Sequence, residues 1–540
     1  MKRILGMTLG IVLVLLLSVS VALADEDKKS GAFTYEIKGN GTAVITGYEG
    51  KNEDVYVPRM LDGYSVSEIG ENAFSDVGNV IITLPDTITV IGSKAFENSK
   101  ATVINIPDSV KRIGDFAFFE CDNITDLFIP ASVEFIGIGA FAGCDSLKAF
   151  SVEAGNDVYA TIDGCLFNKQ NKELVSYPKA KYINEVPSGI ESIGPYAFYT
   201  IDFRSVSPEI ALPDTVKSIG EYAFYGTSYV GTDFHLPANL EYIDNYAFAC
   251  SSYTAKEFSS AGSSGTEFYF PSKLEKIGNY AFSDAHMGLS YFGAEGENVC
   301  LATIGDYAFM NTKLVSKVSW NFEYIDFPFS VEKIGKGAFK NFEFFYEYRD
   351  LKKGASIYGG SIGLKKTKIT TIEPETFSGA NCGSIKFPST VKEVKERAAV
   401  GCKAYLDFDD NCPETIGAEA FQGIEEGVWF GAKNLKTIGE RAFYGASSIK
   451  FVDYSSGELV SPELVSLPST VISIGKEAFG ATGLSSLTIP ASVIELGEDF
   501  CDRAKTILTV EKGSYAEQYA LENGYQIKKE ESTDTSWLNN

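Results

Sequence analysis

Histidine is almost absent: the 540 residues contain two, His235 and His286. His235 lies in the outward position of the stretch "DFHLP", where no motif partners it, and His286 sits in the loop "SDAHMGL". Imidazole is the side chain whose ordinary pKa serves acid–base work near neutrality. Two isolated copies give such chemistry little material. No Gly-rich phosphate loop, no H-E-x-x-H and no spaced Cys/His zinc set occurs. Neither metal nor cofactor is therefore expected. Asp and Glu number 72 and could supply a glycosidase-type pair, but the pattern singles none out. No catalytic residue is assigned, and the expectation is a protein that is not an enzyme.

Basic residues are also scarce, 47 against 72 acids, for a net charge of −25. An acidic surface repels phosphate backbones and anionic lipid, so nucleic acid is excluded as a partner. Long apolar runs are missing after the N-terminus. There, Lys2 and Arg3 precede the apolar residues 11–17, and Ala22-Leu23-Ala24 reads as an A-x-A cleavage site. Residues 1–24 are expected to be a signal peptide. The apolar stretch from Ile4 to Leu23 nearly reaches spanning length, which keeps an uncleaved anchor as the alternative. A secreted or loosely surface-associated monomer is expected, with no integral segment once the signal is removed. Nine cysteines would suggest disulfides in such a chain. The number is odd, however, and Cys121 and Cys144 each follow a repeated Phe by three residues. They read as buried small apolar residues, and Cys402 with Cys412 is the pair to examine first for oxidation.

What the sequence has in abundance is repetition. The phrase I-G-x-x-A-F recurs with its Phe at 74, 96, 118, 141, 198, 224, 248, 282, 309, 339, 377, 421, 443 and 479, with Asp244 in place of the Gly before Phe248 and the phrase decayed to "IEPETF" before Phe377. Two degenerate copies, "VKERAA" and "LGEDFC", bring the count to about sixteen units. A period of 20–30 residues is the mark of a solenoid. In the unit "CDNITDLFIPASVEFIGIGAFAG", Leu127 and Ile129 alternate with Asp126 and Phe128, as in a short strand that Pro130 ends. "VEFIG" is a second extended piece, and Gly137 is expected to end it by supplying backbone angles that other residues avoid. "xxAF" has room for one helical or 3₁₀ turn. No unit can bury its own apolar face, but stacked units can. A helix-repeat alternative fails for want of an apolar stripe of period 3.6.

The pattern L-x-x-I-x-I-P…I-G-x-x-A-F-x-x-C resembles the BspA-like branch of leucine-rich repeats. The resemblance implies a β-rich solenoid with short parallel strands on the concave face, and short strands with 3₁₀ or one-turn helices on the convex side. It also implies an N-terminal hairpin cap and a C-terminal helical cap. "FTYEIKGNGTAVITGY" resembles the hairpin that opens such arrays, with "GNG" as its turn. "AGNDVYATIDGCLFNKQNKELVSYP" resembles the family's enlarged repeat, with Asp163-Gly164 as a hairpin turn. Ser514-x-x-Glu517 is a capping box, Gly524 a helix stop, and Tyr515 and Tyr519 are expected on one helix face ahead of the edge strand "YQIK". The expected organisation is thus signal 1–24, hairpin cap 25–62, array 63–506 with an enlarged unit at 142–198, C-terminal cap 507–528 and a disordered tail 529–540.

Function is expected on surfaces. The outward strand position collects Thr83, Asn105, Phe128, Ala211, His235, Tyr269, Lys386 and Thr488, with Asp326 if "YIDFP" is in register. From these, Phe128, His235, Tyr269, Asp326 and Lys386 are the candidate ligand-binding residues, since exposed aromatics anchor interfaces. Single exposed aromatics also occur without meaning. A second column, Tyr196, Tyr222, Tyr246, Tyr280 and Tyr307, reads as a structural ring stack on the turn side. Insertions follow Phe248, Phe339 and Phe443; residues 339–360 are dense in aromatics and then basic, and either bind or pack as a lateral hairpin. The resemblance implies adhesion to an extracellular protein or glycan. A secreted polysaccharide- or peptide-acting enzyme and a structural surface-layer component are the rival classes.

Overall fold

A computed structural model of the protein describes residues 27–50, 54–181, 186–203, 211–230, 233–254, 267–287, 290–292, 298–317, 324–350, 354–408, 413–431, 433–452 and 464–528. The expected signal peptide, the tail 529–540 and Cys412 lie outside the described residues. The chain divides into two compact units, Met1–Ala160 and Thr161–Asn540.

Each turn of the first unit is built from the same three pieces. The strand Asp126–Ile129 buries Leu127 and Ile129 and exposes Asp126 and Phe128. That period of two follows from the pleat. Pro130 closes the strand, and its carbonyl accepts from the Val133 amide at 3.2 Å to turn the chain. The two-residue strands Val90–Ile91, Arg112–Ile113 and Phe135–Ile136 then stack in parallel, with Ile91, Ile113 and Ile136 in register and buried.

Gly137 ends its strand for a reason other than the expected one. Its φ is not positive. A Cβ placed there would lie 2.4 Å from the Asp115 nitrogen and 2.6 Å from the Gly114 carbonyl carbon. Glycine is needed because adjacent turns come into backbone contact, not because the angle is unusual.

The left-handed angles sit in the turn segment after each repeated glycine; after Gly114 they fall at Phe116 (φ 56°) and Glu120 (φ 55°). Within that segment Ala117 donates to Gly114 O and Phe119 to Phe116 O, at 3.3 and 3.0 Å. These are 3₁₀-type bonds, and the left-handed residues stop them from propagating into a helix. The intervening amides of Phe116, Phe118 and Glu120 donate instead to Ile138, Ala140 and Ala142 of the next turn, at 2.9, 2.7 and 2.9 Å. Every amide from Phe116 to Glu120 is thereby satisfied.

This geometry drives the repeated Phe inward. Tyr48, Phe74, Phe96, Phe118 and Phe141 form a ring stack with centroids 5.4, 5.4, 5.1 and 5.5 Å apart. In the second unit the stack runs from Tyr177 through Phe198, Phe224, Phe248, Phe282, Phe309 and Phe339 to Phe377, with spacings between 4.6 and 5.6 Å. "VKERAA" then places Ala399 in the Phe slot. Phe387 and Phe408, stacked at 4.3 Å, meet Phe377 and Phe421 edge-on around that gap.

The second unit opens with Asp163 and Gly164 at φ 51° and 76°, the angles a type I′ turn requires. Its strands Ser192–Ile193, Ser218–Ile219, Tyr242–Ile243, Lys276–Ile277, Thr303–Ile304 and Lys333–Ile334 continue one parallel ladder. At the N-terminal end of the first unit, Phe33–Ile37 and Thr42–Tyr48 form an antiparallel pair, with Tyr35 opposite Ile45. The Tyr35 hydroxyl donates to Asp62 at 2.7 Å. That bond is the main reason the phenol is pushed up to about 12 and the Asp62 carboxyl is held low.

At the other end the helix Tyr515–Glu522 has Ser514 as N-cap, accepting from the Glu517 amide at 3.1 Å. The Glu517 carboxylate accepts in return from the Gly513 amide, one residue earlier than a capping box requires. Ala516 and Ala520 face the core, whereas Tyr515 is exposed; the small residues, not both tyrosines, set the docking face. Tyr525 stacks on Phe500 at 4.9 Å, and Gln526–Ile527 pairs with Ile507–Val510.

Cys121, Cys144, Cys165, Cys382, Cys402 and Cys501 are buried free thiols. Cys121 and Cys144 donate to Phe96 O and Phe118 O of the turn before, at 3.0 and 3.1 Å. Burial pushes the Cys402 thiol up to about 12, which suppresses the reactive thiolate. Cys250 and Cys300 are exposed. Iodoacetamide is therefore expected to label Cys250 and Cys300 in the native protein, and the six buried thiols only after denaturation. Peptide mapping by mass spectrometry reads the result.

Candidate binding surface

In the first unit the outward strand positions are occupied by Tyr56, Ile81, Val103 and Phe128, exposed to 74, 42, 51 and 47 %. Ile81 lies beside Val103, and Tyr56 beside Thr83, which faces Asn105. The Asn105 side chain accepts from the Leu84 amide at 2.8 Å, so it serves the ladder between turns. Phe128 is in register with Ser151.

In the second unit His235 and Tyr269 are register partners, and their rings stack at 5.0 Å and 12°. His235 thus has a ring partner that its sequence context did not reveal. His286 is exposed, beside Lys313 in register. Partial burial and that lysine lower its pKa.

Asp326 and Lys386 belong to one parallel sheet made of Tyr324–Asp326, Ser361–Gly363, Ser384–Lys386, Tyr405–Asp407, Val428–Gly431 and Ile449–Val452. Its inward column is Ile325, Ile362, Ile385, Leu406, Val428 and Ile449. Its outward column is Asp326, Gly363, Lys386, Asp407, Trp429 and Lys450. A Cβ on Gly363 would lie 1.9 Å from the Asp326 carboxylate, which occupies that space and pairs with Lys366 at 3.3 Å. Lys386 lies over the Tyr324 ring at 4.6 Å, and Lys450 over Trp429 at 4.4 Å. Tyr405 meets Trp429 edge-on at 5.3 Å. The sequence pattern missed Asp407, Trp429 and Lys450. It used proline as the register mark, and "YLDFD", "GVWFG" and "IKFVD" carry none at that place.

The tyrosine column is a ring stack. Tyr196, Tyr222, Tyr246, Tyr280 and Tyr307 are 4.9, 4.7, 4.8 and 5.0 Å apart. All five have positive φ, between 55° and 60°. Gly337 follows, where a Cβ would lie 2.3 Å from the Tyr307 ring. Beyond it the same left-handed position carries Glu375, Arg397, Glu419, Arg441 and Glu477, with Arg397–Glu419 and Arg441–Glu477 ion-paired.

The aromatic insertion 339–360 forms an antiparallel hairpin of Glu343–Asp350 with Gly354–Gly359. Phe342 and Phe344 at its base are buried, so those rings pack. The other two insertions lie partly outside the described residues.

Most side-chain ion pairs link neighbouring turns. Examples are Lys111–Glu134 at 2.7 Å, Lys395–Glu373 at 2.9 Å and Lys436–Glu414 at 2.6 Å. Glu191, held between Lys172 and Lys217, has its carboxyl lowered to about 2. Among the described residues no group of three His, Cys, Asp or Glu is arranged to hold a metal. Nor is any helix there long and apolar enough to cross a membrane. A cavity of about 10 Å³ lies among Phe309, Leu314, Ile325, Phe327, Phe339, Phe342 and Ile362. It has room for about one water and no polar wall to act on a substrate.

Stacked short parallel strands, one Phe per turn and a sheet of outward polar and aromatic residues define a leucine-rich repeat solenoid. The chain belongs to the BspA-type leucine-rich repeat family, whose model matches it in six copies over residues 61–174, 176–286, 255–348, 360–463 and 457–530. It is similar to a leucine-rich repeat protein of Bacteroides ovatus, at 21 % identity over 93 % of this chain and 99 % of that one, with a TM-score of 0.38. Similarity to the pneumococcal vaccine antigen PcpA is 18 % over 71 % of this chain and 93 % of that one, with a TM-score of 0.34. A leucine-rich repeat protein of Eubacterium ventriosum gives 17 % over 79 and 95 %, with a TM-score of 0.33. No curated protein matches the chain.

Proposed function

We propose that the protein is exported, loses residues 1–24, and works outside the cell as a monomeric adhesion protein without catalysis. Its outward strand residues hold a macromolecular ligand. Phe128, His235, Tyr269, Asp326 and Lys386 are contact residues in this reading. One observation carries it: Tyr56, Ile81, Val103 and Phe128 are exposed on the strand face although the core does not need them there. Clustered exposed apolar side chains mark interaction surfaces. A protein is the ligand such exposed apolar side chains favour.

The test is a screen of the purified mature protein against immobilised matrix proteins and glycan arrays. A saturable protein ligand is expected, and Tyr56→Ala or Phe128→Ala is expected to weaken it by about 2 kcal/mol each, as hot-spot truncations do. Loss of the ligand in a variant carrying both Phe128→Ala and Tyr269→Ala supports the reading. Turnover of a polysaccharide or peptide, lost on changing one carboxylate, would instead establish the enzymatic class.

A further inference from the structure

We propose that the outward face from Tyr324 to Lys450 is a separate site for an anionic polysaccharide, one carrying carboxylate or sulfate groups along its chain. The inference rests on the reading that strand faces bind; it reassigns Asp326 and Lys386 from the protein ligand to a second one and leaves Tyr56 and Phe128 of the first unit to the protein.

The argument starts from how this chain disposes of its cations. In a protein of net charge −25, lysines and arginines repeatedly find a carboxylate one turn away, as Lys111, Lys395 and Lys436 do. Lys386 and Lys450 do not follow this habit. Lys386 lies on the Tyr324 ring and donates to its hydroxyl at 3.4 Å, and Lys450 lies on Trp429. Among the described residues neither is ion-paired. A ring orients an ammonium group without neutralising it. Both charges are thus held in place and remain available to an anion.

Register fixes their spacing. Lys386, Asp407, Trp429 and Lys450 stand on four successive strands. Three steps at the usual strand separation put the two lysines about 14 Å apart. A separation of about 14 Å is more than one compact anion can bridge. A chain with negative groups spaced along it can reach both lysines while its uncharged parts pass the middle.

What lines that middle suits sugar. Tyr405 and Trp429, both part-exposed and edge-on to each other, add aromatic surface for the C–H faces of pyranose units beside Lys450, which lies over Trp429. Ser361 and Ser384, hydrogen-bonded to each other at 2.9 Å, add hydroxyls beside Tyr324 and Tyr405. An acidic peptide that added as a strand would need a free sheet edge. Ser384–Lys386 and Tyr405–Asp407 are paired on both sides, so neither offers an edge.

The full-length mature protein is titrated with polygalacturonate, heparin, neutral dextran, poly-Glu and single-stranded DNA at low and at physiological salt. Saturable binding of polygalacturonate or heparin is expected, weakening with salt. Tighter binding of heparin than of polygalacturonate shows that sulfate contributes, since both polymers carry carboxylate. Lys386→Gln with Lys450→Gln is expected to lose about tenfold or more, the loss of two charge-assisted contacts. Trp429→Ala is expected to lose affinity for the same polymer, whereas Phe128→Ala leaves it unchanged. A thermal unfolding midpoint unaltered by the double lysine change confirms that the fold is intact. Four outcomes overturn the site: no polyanion binds, dextran binds equally, the double variant binds as the parent does, or poly-Glu or DNA outcompetes the polysaccharides. In each of them the protein-binding reading of the Phe128 face survives if Tyr56 and Phe128 variants still lose their protein ligand.

Discussion

Phe248→Ala is expected to lower the unfolding free energy of the second unit by about 3–5 kcal/mol, the range for a fully buried aromatic truncated in a core that cannot collapse. Phe248 has no exposed surface. Its ring is stacked between Phe224 at 4.9 Å and Phe282 at 5.1 Å, and Phe234 and Tyr253 meet it from the strand side. The backbone around it cannot close over the void, because the Phe248 amide donates to Ala281 O and the Phe224 amide to Ala247 O, both at 2.7 Å. Those bonds hold three turns at fixed separation. A repeat array resembles a one-dimensional chain of neighbour contacts. The damage is therefore expected to be centred on residues 222–282 and to fade along the unit. Hydrogen exchange should show the fastest new opening there. Uniform acceleration across the second unit would mean that its turns unfold as one cooperative block.

Gly114→Val is expected to destabilise the first unit by about 2–3 kcal/mol, through overpacking rather than through backbone strain. A Cβ at this position would meet Ser93 N at 2.5 Å, Gly92 C at 2.6 Å and Ser93 Cα at 2.8 Å. All three atoms are backbone and cannot rotate aside. The turns must separate locally, which lengthens the bond from Gly114 N to Ile91 O, now 2.8 Å. The same chain supplies the comparison. Asp244, Glu373 and Lys395 stand where the repeated glycine would be. Asp244 turns its carboxylate onto the Asn245 amide at 2.7 Å, and Lys395 pairs with Glu373 across two successive turns. Side chains are accommodated where a polar contact takes them outward. Valine has no such contact to make. Urea unfolding followed by fluorescence, with Gly114→Ala as the smaller step, measures the cost. Equal stability of the valine variant and the parent would show that the turns can part freely at this point.

These two positions also show what could be read from residues alone. Phe248 was legible because a buried ring repeated at constant spacing has one economical explanation, a stack of equivalent turns. The glycine was legible as a requirement but not as a mechanism. A repeated I-G says that a side chain is unwelcome, and whether the angle or the neighbour forbids it depends on backbone that the sequence does not contain. The left-handed positions were hidden for a related reason. Lys94, Tyr196, Arg397 and Glu375 share the same backbone angle but differ in chemistry, so no single residue type marked it.

On the strand face, outward positions could be counted where proline gave the register, which placed Phe128, His235, Tyr269, Asp326 and Lys386. Trp429 and Lys450 were lost where the proline was missing. Ring partners such as Tyr324 for Lys386 lie 62 residues apart in sequence and belong to the fold alone.

The alternation of amides in the turn segments has a consequence for how such a chain can change over generations. Because Phe116, Phe118 and Glu120 bond to the following turn exactly as Lys94, Phe96 and Asn98 bond to theirs, any one turn presents to its successor the surface it receives from its predecessor. A duplicated or deleted stretch of one full period leaves every seam matched, whereas a shift of a single residue breaks them all. Length in whole turns is therefore the property that can drift most readily, and with it the reach of the outward face.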